Sequence, residues 1–344
     1  MFTLHIEAAR WRSHLAEVTA RVPDIVPVAK GNGYGFGLTT LAAESETLGR
    51  STIAVGAIDE VSLVHDAFRG DVLVLTPWHP AIDPEPAPDS RLLLTASSLE
   101  AVRALTGGRR RTVVELLTSM RRFGLDEDAV SRAAADIRQL ALEGFALHLP
   151  IDDGELGRVE EISSWVTTLR RHQLPTDNLW VSHVSDAELA TLRRRHPETT
   201  FRPRIGTALW LGDRAAYQAR GTVLAVHRIR RGQRFGYRQR RASADGYLLI
   251  IGGGTSHGVA LSAPRAVQGL TSRVKLAGEG ALEAGGRALS PFYVGGKRRW
   301  FAEPPHMQVS MVWLPAAVAP PVVGAEVPLD MRMTTATFDQ VVLH

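Results

Sequence analysis

Short apolar runs alternate along the first two thirds of the chain with stretches whose apolar residues recur every three or four positions. The runs are Ile25–Lys30, Thr52–Val55, Val72–Leu75, Leu92–Thr95, Thr112–Leu117, Phe145–Ile151, Leu179–His183 and Thr200–Ile205. All but the last, TFRPRI, are apolar along most of their length, the pattern of strands buried on both faces. Between them, LTTLAAESETLG, IDEVSLVHDAF, DEDAVSRAAADIRQLALEG and GELGRVEEISSWVTTLRRHQ carry the spacing of amphipathic helices. Alternating strands and helices specify a parallel sheet, and eight repeats specify a closed (β/α)8 barrel of the TIM type. The prolines of WHPAIDPEPAPDSR, Trp78–Arg91, predict a loop in place of one barrel helix. The opening segment Phe2–Arg21 has apolar spacing that suits a helix.

From about Arg214 the texture changes. GTVLAVHRI, DGYLLIIGGGTSHGVAL, QGLTSRVKLAGEG, HMQVSMVWL and GAEVPLDMRM read as strand-like segments broken by glycine and proline, without long helical periodicity. Residues 1–216 are therefore assigned to the α/β barrel and 217–344 to a second, mostly β domain.

Composition narrows the class only slightly. The chain has 344 residues, 44% hydrophobic and 22% charged, as in ordinary globular proteins. It shows no N-terminal signal pattern and no apolar run long enough to span a bilayer, so a cytoplasmic location without membrane insertion is expected. The absence of cysteine excludes disulfides, thiolate metal sites and a cysteine nucleophile within this chain. The twelve histidines are scattered, and no metal site is expected. The net charge of +4 is modest, with one concentration in HRIRRGQRFGYRQRR, His227–Arg241. That run suits an anionic-ligand or nucleic-acid patch, but equally a solvated strand face, and no nucleic-acid motif accompanies it.

The candidate chemistry begins with a scarcity. Of 40 basic residues only Lys30, Lys275 and Lys297 are lysine. Arginine serves wherever positive charge suffices, but a guanidinium forms no imine with an aldehyde. A lysine kept at the end of the first strand, Lys30, therefore points to a required primary amine, against the blander reading of a surface lysine before a flexible turn. Gly31, Gly33, Gly35 and Gly37 follow it, and Tyr34 can donate a hydrogen bond to a phosphate. A reactive lysine beside a phosphate site suggests pyridoxal 5'-phosphate. In a (β/α)8 barrel, functional groups gather at the C-terminal strand ends. Arg122 follows the fifth strand, His148 lies in the sixth, Ser185 follows the seventh and Arg204 ends the eighth.

These residues sit in motifs that resemble the alanine racemase family of fold-type III pyridoxal-phosphate enzymes over nearly the full length. In VAKGNGYGFG the resemblance makes Lys30 the Schiff-base lysine and Tyr34 the phosphate-binding tyrosine. In LTSMRRFG it puts Arg122 at the cofactor phenolate and the substrate carboxylate. In GFALHLP it makes His148 a supporting histidine, either a brace for Arg204 or an ordinary buried barrel histidine without a catalytic part, and SHVSDAEL, with Ser185, stands before the phosphate loop. FRPRIGTALWLG places Arg204 at the pyridine nitrogen, with the amides of Gly206 and Thr207 near the phosphate. A guanidinium cannot accept the pyridine proton, which limits electron withdrawal and suits simple reprotonation at Cα. Glu115 stands where many members carry a carbamylated lysine, and its expected role is to hold Arg122 by a charge-assisted hydrogen bond or an ion pair.

The resemblance departs from its pattern in the second domain. Racemisation by two bases needs an acid/base group on each face of Cα, one of them a tyrosine that the resemblance assigns to the partner in a homodimer with shared sites. The matching segment here is GGTSHG, which puts Thr255 at the tyrosine position and leaves His257 as the nearby group of suitable proton affinity. HMQVSMVWL keeps Met307 as a substrate-site residue but has Gln308 in place of an aspartate, and TATFDQVVL has Phe338 at a tyrosine position. The implied function is a racemase-like enzyme acting on an amino acid, or a pyridoxal-phosphate-binding protein without turnover.

Overall fold

The computed structural model describes residues 1–84, 88–152, 157–261 and 288–344. These form two compact units. One holds Ser13–Gly33 and Gly37–Gly212, and the other holds Met1–Arg12, Tyr34–Phe36 and Asp213–His344.

The chain opens with strand β1 (Phe2–Ile6) and helix α1 (Ala8–Arg21), where the apolar spacing predicts one helix. Phe2, Leu4 and Ile6 are fully buried at alternate positions, the two-residue period of a strand. The partners that realise this pattern are distant in sequence: Phe2–Ile6 pairs antiparallel with Tyr217–Gly221 and, through Thr3–Ile6, parallel with Gln340–Leu343.

The barrel strands are β2 (Val26–Pro27), β3 (Thr52–Val55), β4 (Asp71–Val74), β5 (Leu92–Ala96), β6 (Arg111–Leu116), β7 (Ala141–Leu147), β8 (Asn178–Ser182) and β9 (Thr200–Ile205). The helices between and after them are α2 (Leu38–Thr47), α3 (Val61–His65), α4 (Leu99–Leu105), α5 (Glu127–Ile137), α6 (Arg158–Arg171), α7 (Asp186–Arg195) and α8 (Thr207–Trp210). All neighbouring strands are parallel, in the order β2-β9-β8-β7-β6-β5-β4-β3. A bridge between Val28 and Ala54, with the Ala29 N–H donating to the Ala54 carbonyl at 2.8 Å, joins the two ends of that order. The result is the expected (β/α)8 architecture. Val26, Val28, Ala54, Leu73, Leu93, Val113, Ala146 and Trp180 pack together as a core cluster of these strands. At the N-terminal ends of the strands, Arg111 bonds Asp71 at 2.5 and 2.8 Å and Glu143 at 2.6 Å.

The connection from β4 to β5 contains no helix among its described residues, in keeping with its prolines. The strand predicted at Phe145–Ile151 is displaced. It spans Ala141–Leu147, with a bulge where Thr112 and Val113 face Leu142 and Gly144. His148 is therefore not within the strand but is the first residue beyond its C-terminal end.

The second unit is built from β10 (Tyr217–Ile229), β11 (Arg234–Phe235), β12 (Arg240–Arg241), β13 (Gly246–Gly252), β14 (Leu289–Val294), β15 (Lys297–Phe301), β16 (Val309–Pro315), β17 (Glu326–Leu329) and β18 (Gln340–Leu343). The order β13-β16-β15-β14-β17-β10 returns to its start because the long β10 also pairs with β13. Val223, Leu249, Ile251, Phe292, Val312 and Leu314 are buried together within it. The arginine-rich run contributes the end of β10 and the separate β11–β12 ladder. The segment QGLTSRVKLAGEG lies outside the described residues. No helix among the described residues is long and apolar enough to cross a membrane.

Candidate active site

In the barrel unit a cavity of about 140 Å³ is lined by Lys30, Glu115, Arg122, His148 and Arg204, together with Gly56, Leu75, Thr76 and Phe123. Five residues singled out from sequence thus meet at one place, although they come from four different strands and the loops that follow them.

Lys30 lies three residues beyond the end of β2, after the bridge residue Val28. Its amine is pushed below the usual lysine range by partial burial, then by the positive charges of Arg122 and Arg204, while Glu60 pulls it the other way. Glu60 is a site residue that no sequence signal marked. Its Oε1 accepts from the Gly31 N–H at 2.9 Å and its Oε2 from the Gly56 N–H at 2.7 Å, so one carboxylate holds the turn after Lys30 to the loop after β3. Position 56 is closely packed: a Cβ there would stand 3.0 Å from Glu60 Oε2 and 3.1 Å from the Lys30 Cβ, so one of these neighbours would have to give by a few tenths of an ångström. Only the meeting of two loops creates this role, so local periodicity carries no trace of it.

Arg204, on β9, is 8% exposed. Burial pushes its guanidinium down to about 10 against the favourable charge of Glu115, which still leaves it protonated near neutrality. Nη2 donates to the Leu147 carbonyl at 3.0 Å, whereas the buried Nε has no hydrogen-bond partner among the described residues. His148 does not supply the expected brace. Its Nδ1 instead pairs with the Ser182 hydroxyl at 3.1 Å, and burial together with Arg204 and Arg122 pushes its imidazole down to about 3, so it is neutral. His183, which the sequence reading did not select as a functional residue, lies edge-on to His148 with ring centroids 5.3 Å apart, and it too is pushed down, first by burial and then by Arg204.

Glu115, on β6, is 2% exposed and its carboxyl is pushed up by burial, opposed by Arg204 and Arg122. Neither a hydrogen bond nor an ion pair within 4.0 Å joins it to Arg122 among the described residues, so the expected contact is replaced by attraction at longer range. A carboxylate is shorter than a modified lysine and does not reach. The cavity holds three cations, Lys30, Arg122 and Arg204, against one buried carboxyl, a balance that favours an anionic ligand.

The other expected residues are placed as follows. Tyr34 is buried, with a left-handed backbone at φ 54° in the Gly33–Gly35 turn. Ser185 caps α7: its hydroxyl accepts from the Glu188 N–H at 3.3 Å, and Glu188 accepts from the Ser185 N–H at 2.7 Å. Gly206 and Thr207 begin α8 immediately after β9, where their N–H groups precede the first helical acceptors.

In the second unit, His257 is buried and engaged at both ring nitrogens. Nδ1 accepts from the Gly254 N–H at 3.2 Å, and Nε2 pairs with Asp339 Oδ1 at 3.0 Å. Asp339 Oδ2 also accepts from the Phe2 N–H at 2.7 Å. These bonds tie β1, the Thr255–His257 turn and the C-terminal segment together, and they leave the ring no free nitrogen for the acid/base role read from sequence. Phe338 stacks on Phe2 at 4.9 Å. Thr255 and Met307, by contrast, both line a second cavity of about 860 Å³. No group of three or more His, Cys, Asp or Glu side chains able to hold a metal ion occurs among the described residues.

Fold and site together define a (β/α)8-barrel protein with a lysine and two arginines gathered at the C-terminal strand ends, followed by a strand-rich unit. The chain belongs to the alanine racemase family: the model of the alanine racemase N-terminal domain matches residues 6–213. Among solved structures, similarity extends to the alanine racemase of Bacillus anthracis with bound L-Ala-P, at 18% identity over 95% of this chain and 84% of that one, with a TM-score of 0.70. The alanine racemase of Bartonella henselae with covalently bound pyridoxal phosphate shares 16% identity over 99% of both chains, TM-score 0.69. A histidine racemase from Leuconostoc mesenteroides shares 18% identity over 99% of this chain and 98% of that one, TM-score 0.66. A comparison with curated protein sequences gave no match.

Proposed function

We propose that this protein is a pyridoxal-phosphate-dependent amino-acid racemase that moves a proton at Cα and works as a homodimer. The observation that carries this reading is the pairing, in one cavity, of a lysine with weakened proton affinity and a buried arginine whose Nε–H lacks an acceptor among the described residues. An orphaned buried donor is costly, and a ligand acceptor there would relieve it.

The residues present fit the cofactor. Lys30 would hold it covalently through its amine, Arg204 would hold the ring nitrogen, and Tyr34 with the amides of Gly206 and Thr207 would hold the phosphate. When bound, pyridoxal phosphate draws electron density from Cα of the attached amino acid and makes its proton labile. Arg122 meets the substrate carboxylate, held in a favourable field by Glu115 rather than by direct contact. Lys30, unprotonated over a wider pH range than a free lysine, takes the Cα proton on its own face and returns it. His148 and His183, both neutral, add no positive charge to a site already crowded with it.

Retention of the cofactor without turnover is the second reading, favoured by one observation: His257 is fully engaged elsewhere. The test is the absorbance of purified protein with added pyridoxal phosphate, for wild type and Lys30→Ala, followed by borohydride reduction and peptide mapping. A visible band lost in the variant, with the reduced label on Lys30, supports the cofactor site. Exchange of the Cα hydrogen with solvent deuterium then separates enzyme from binder, and a wild type without any band overturns both.

A further inference from the structure

The second unit contains a histidine on a cavity wall with one ring nitrogen held by a carboxylate. His306 lines the cavity of about 860 Å³ together with Thr255 and Met307, two of the residues that the family resemblance sets at the substrate. It is 25% exposed at its side chain, whereas its partner Glu303 is 5% exposed. Nε2 of His306 lies 2.8 Å from Glu303 Oε1. The other carboxylate oxygen, Oε2, accepts from the Tyr237 N–H at 2.9 Å, which fixes the carboxylate. The Tyr237 ring lies 4.6 Å from the imidazole, centroid to centroid.

A buried acceptor-only carboxylate selects the tautomer in which Nε2 carries the hydrogen, leaving Nδ1 as the base. Nδ1 makes no hydrogen bond among the described residues. A base aligned by a fixed carboxylate, on the wall of a cavity large enough for an amino acid, is the arrangement expected of a general acid/base. His257 shows the opposite, with both nitrogens consumed by structural bonds.

We propose that His306, positioned by Glu303, is the acid/base group of the second unit and the second proton carrier at Cα. This rests on the racemase reading above. In the step assigned to it, Nδ1 takes the Cα proton of one enantiomer and leaves the C–H electron pair on the substrate. In the reverse direction the imidazolium Nδ1–H is donated to Cα. In the homodimer of that reading, Lys30 of the partner subunit performs the complementary transfer on the other face, so protons balance over a turnover.

The experiment compares wild type, His306→Gln, Glu303→Gln and Tyr237→Phe as holoenzymes with L- and D-alanine and L- and D-histidine in deuterium oxide. In His306→Gln the visible cofactor band persists, exchange of one enantiomer continues, and exchange of the other falls by about 100-fold or more, as does racemisation. Glu303→Gln, which keeps an acceptor, loses less on the same enantiomer. A readout independent of turnover is labelling by diethyl pyrocarbonate: His306 is modified in the wild type, and the amino acid that exchanges slows that modification. Equal exchange of both enantiomers by His306→Gln overturns the assignment, and so does loss on Tyr237→Phe with His306→Gln unaffected. A wild type that shows the band but no exchange with any of the four sinks the racemase reading. In that case protection of His306 by one of these amino acids still supports its place in the ligand site, and its absence removes it.

Discussion

Glu60 and Gly31 are joined by a 2.9 Å hydrogen bond immediately after Lys30, and the second oxygen of the same carboxylate takes the Gly56 N–H. Lys30 is therefore positioned by a residue that makes no hydrogen bond to it among the described residues. Glu60→Ala removes two charge-assisted bonds, worth about 1–3 kcal/mol together where partly exposed, and also removes the negative charge that favours the lysine's protonated form. Thermal melting is expected to fall by several degrees, and the pH at which Lys30 reacts with borohydride and aldehyde is expected to move down. Glu60→Gln restores part of the stability but not the pH midpoint.

The unpaired Nε of Arg204 gives a second prediction. Arg204→Gln removes a donor reserved for an acceptor outside the chain, so the affinity for pyridoxal phosphate, followed by absorbance titration, is expected to drop about 10-fold or more. The label on Lys30 persists. Unchanged affinity shows that Nε does not meet the cofactor.

Acid stability follows from His148. Its folded-state affinity for a proton is pushed down to about 3 from 6.5, so between those values the unfolded chain binds more protons than the folded one. Stability from this group is complete above about pH 6.5 and is lost as pH falls towards 3. Denaturant midpoints measured from pH 7 to pH 4 are expected to fall steeply in wild type and less steeply in His148→Gln, which retains a partner for Ser182. Equal slopes assign the acid sensitivity to other groups.

His257→Ala tests the structural role of the histidine nearest the expected catalytic position. Loss of its bonds to Asp339 and the Gly254 amide is expected to cost about 2–3 kcal/mol, read as a lower denaturation midpoint. Asp339 is held below the usual carboxylate range despite partial desolvation, by His257 and the Phe2 amide. Its stabilising contribution is present above the unfolded range and is lost as pH falls through the folded one, a limb that shrinks in the variant. Borohydride labelling of Lys30 persists. Loss of that label with unchanged stability assigns His257 a part in the site.

Much of the barrel is legible in the sequence because its signals are local. Strands buried on both faces leave continuous apolar runs, and amphipathic helices leave a three-to-four spacing, each within a dozen residues. The scarcity of lysine singled out Lys30, placement at the barrel strand ends singled out Arg122, His148 and Arg204, and motif resemblance added Glu115; the fold then gathers them around one cavity. What lay beyond the sequence depends on partners far along the chain. Phe2–Ile6 was misread because its apolar residues fit two periods, and the choice is made by strands near residues 220 and 340. Glu60 acquires its role only where two loops meet, and His257 and His306, equally plausible as isolated histidines, are separated by their carboxylates. Asp339, with the Gly254 amide, consumes both nitrogens of one; Glu303 engages one nitrogen of the other and leaves the second open. Periodicity determined the barrel architecture, and composition marked Lys30 as the candidate amine. Which side chains are engaged and which remain open was decided by tertiary structure, because hydrogen-bond satisfaction is a property of the folded neighbourhood and not of sequence spacing.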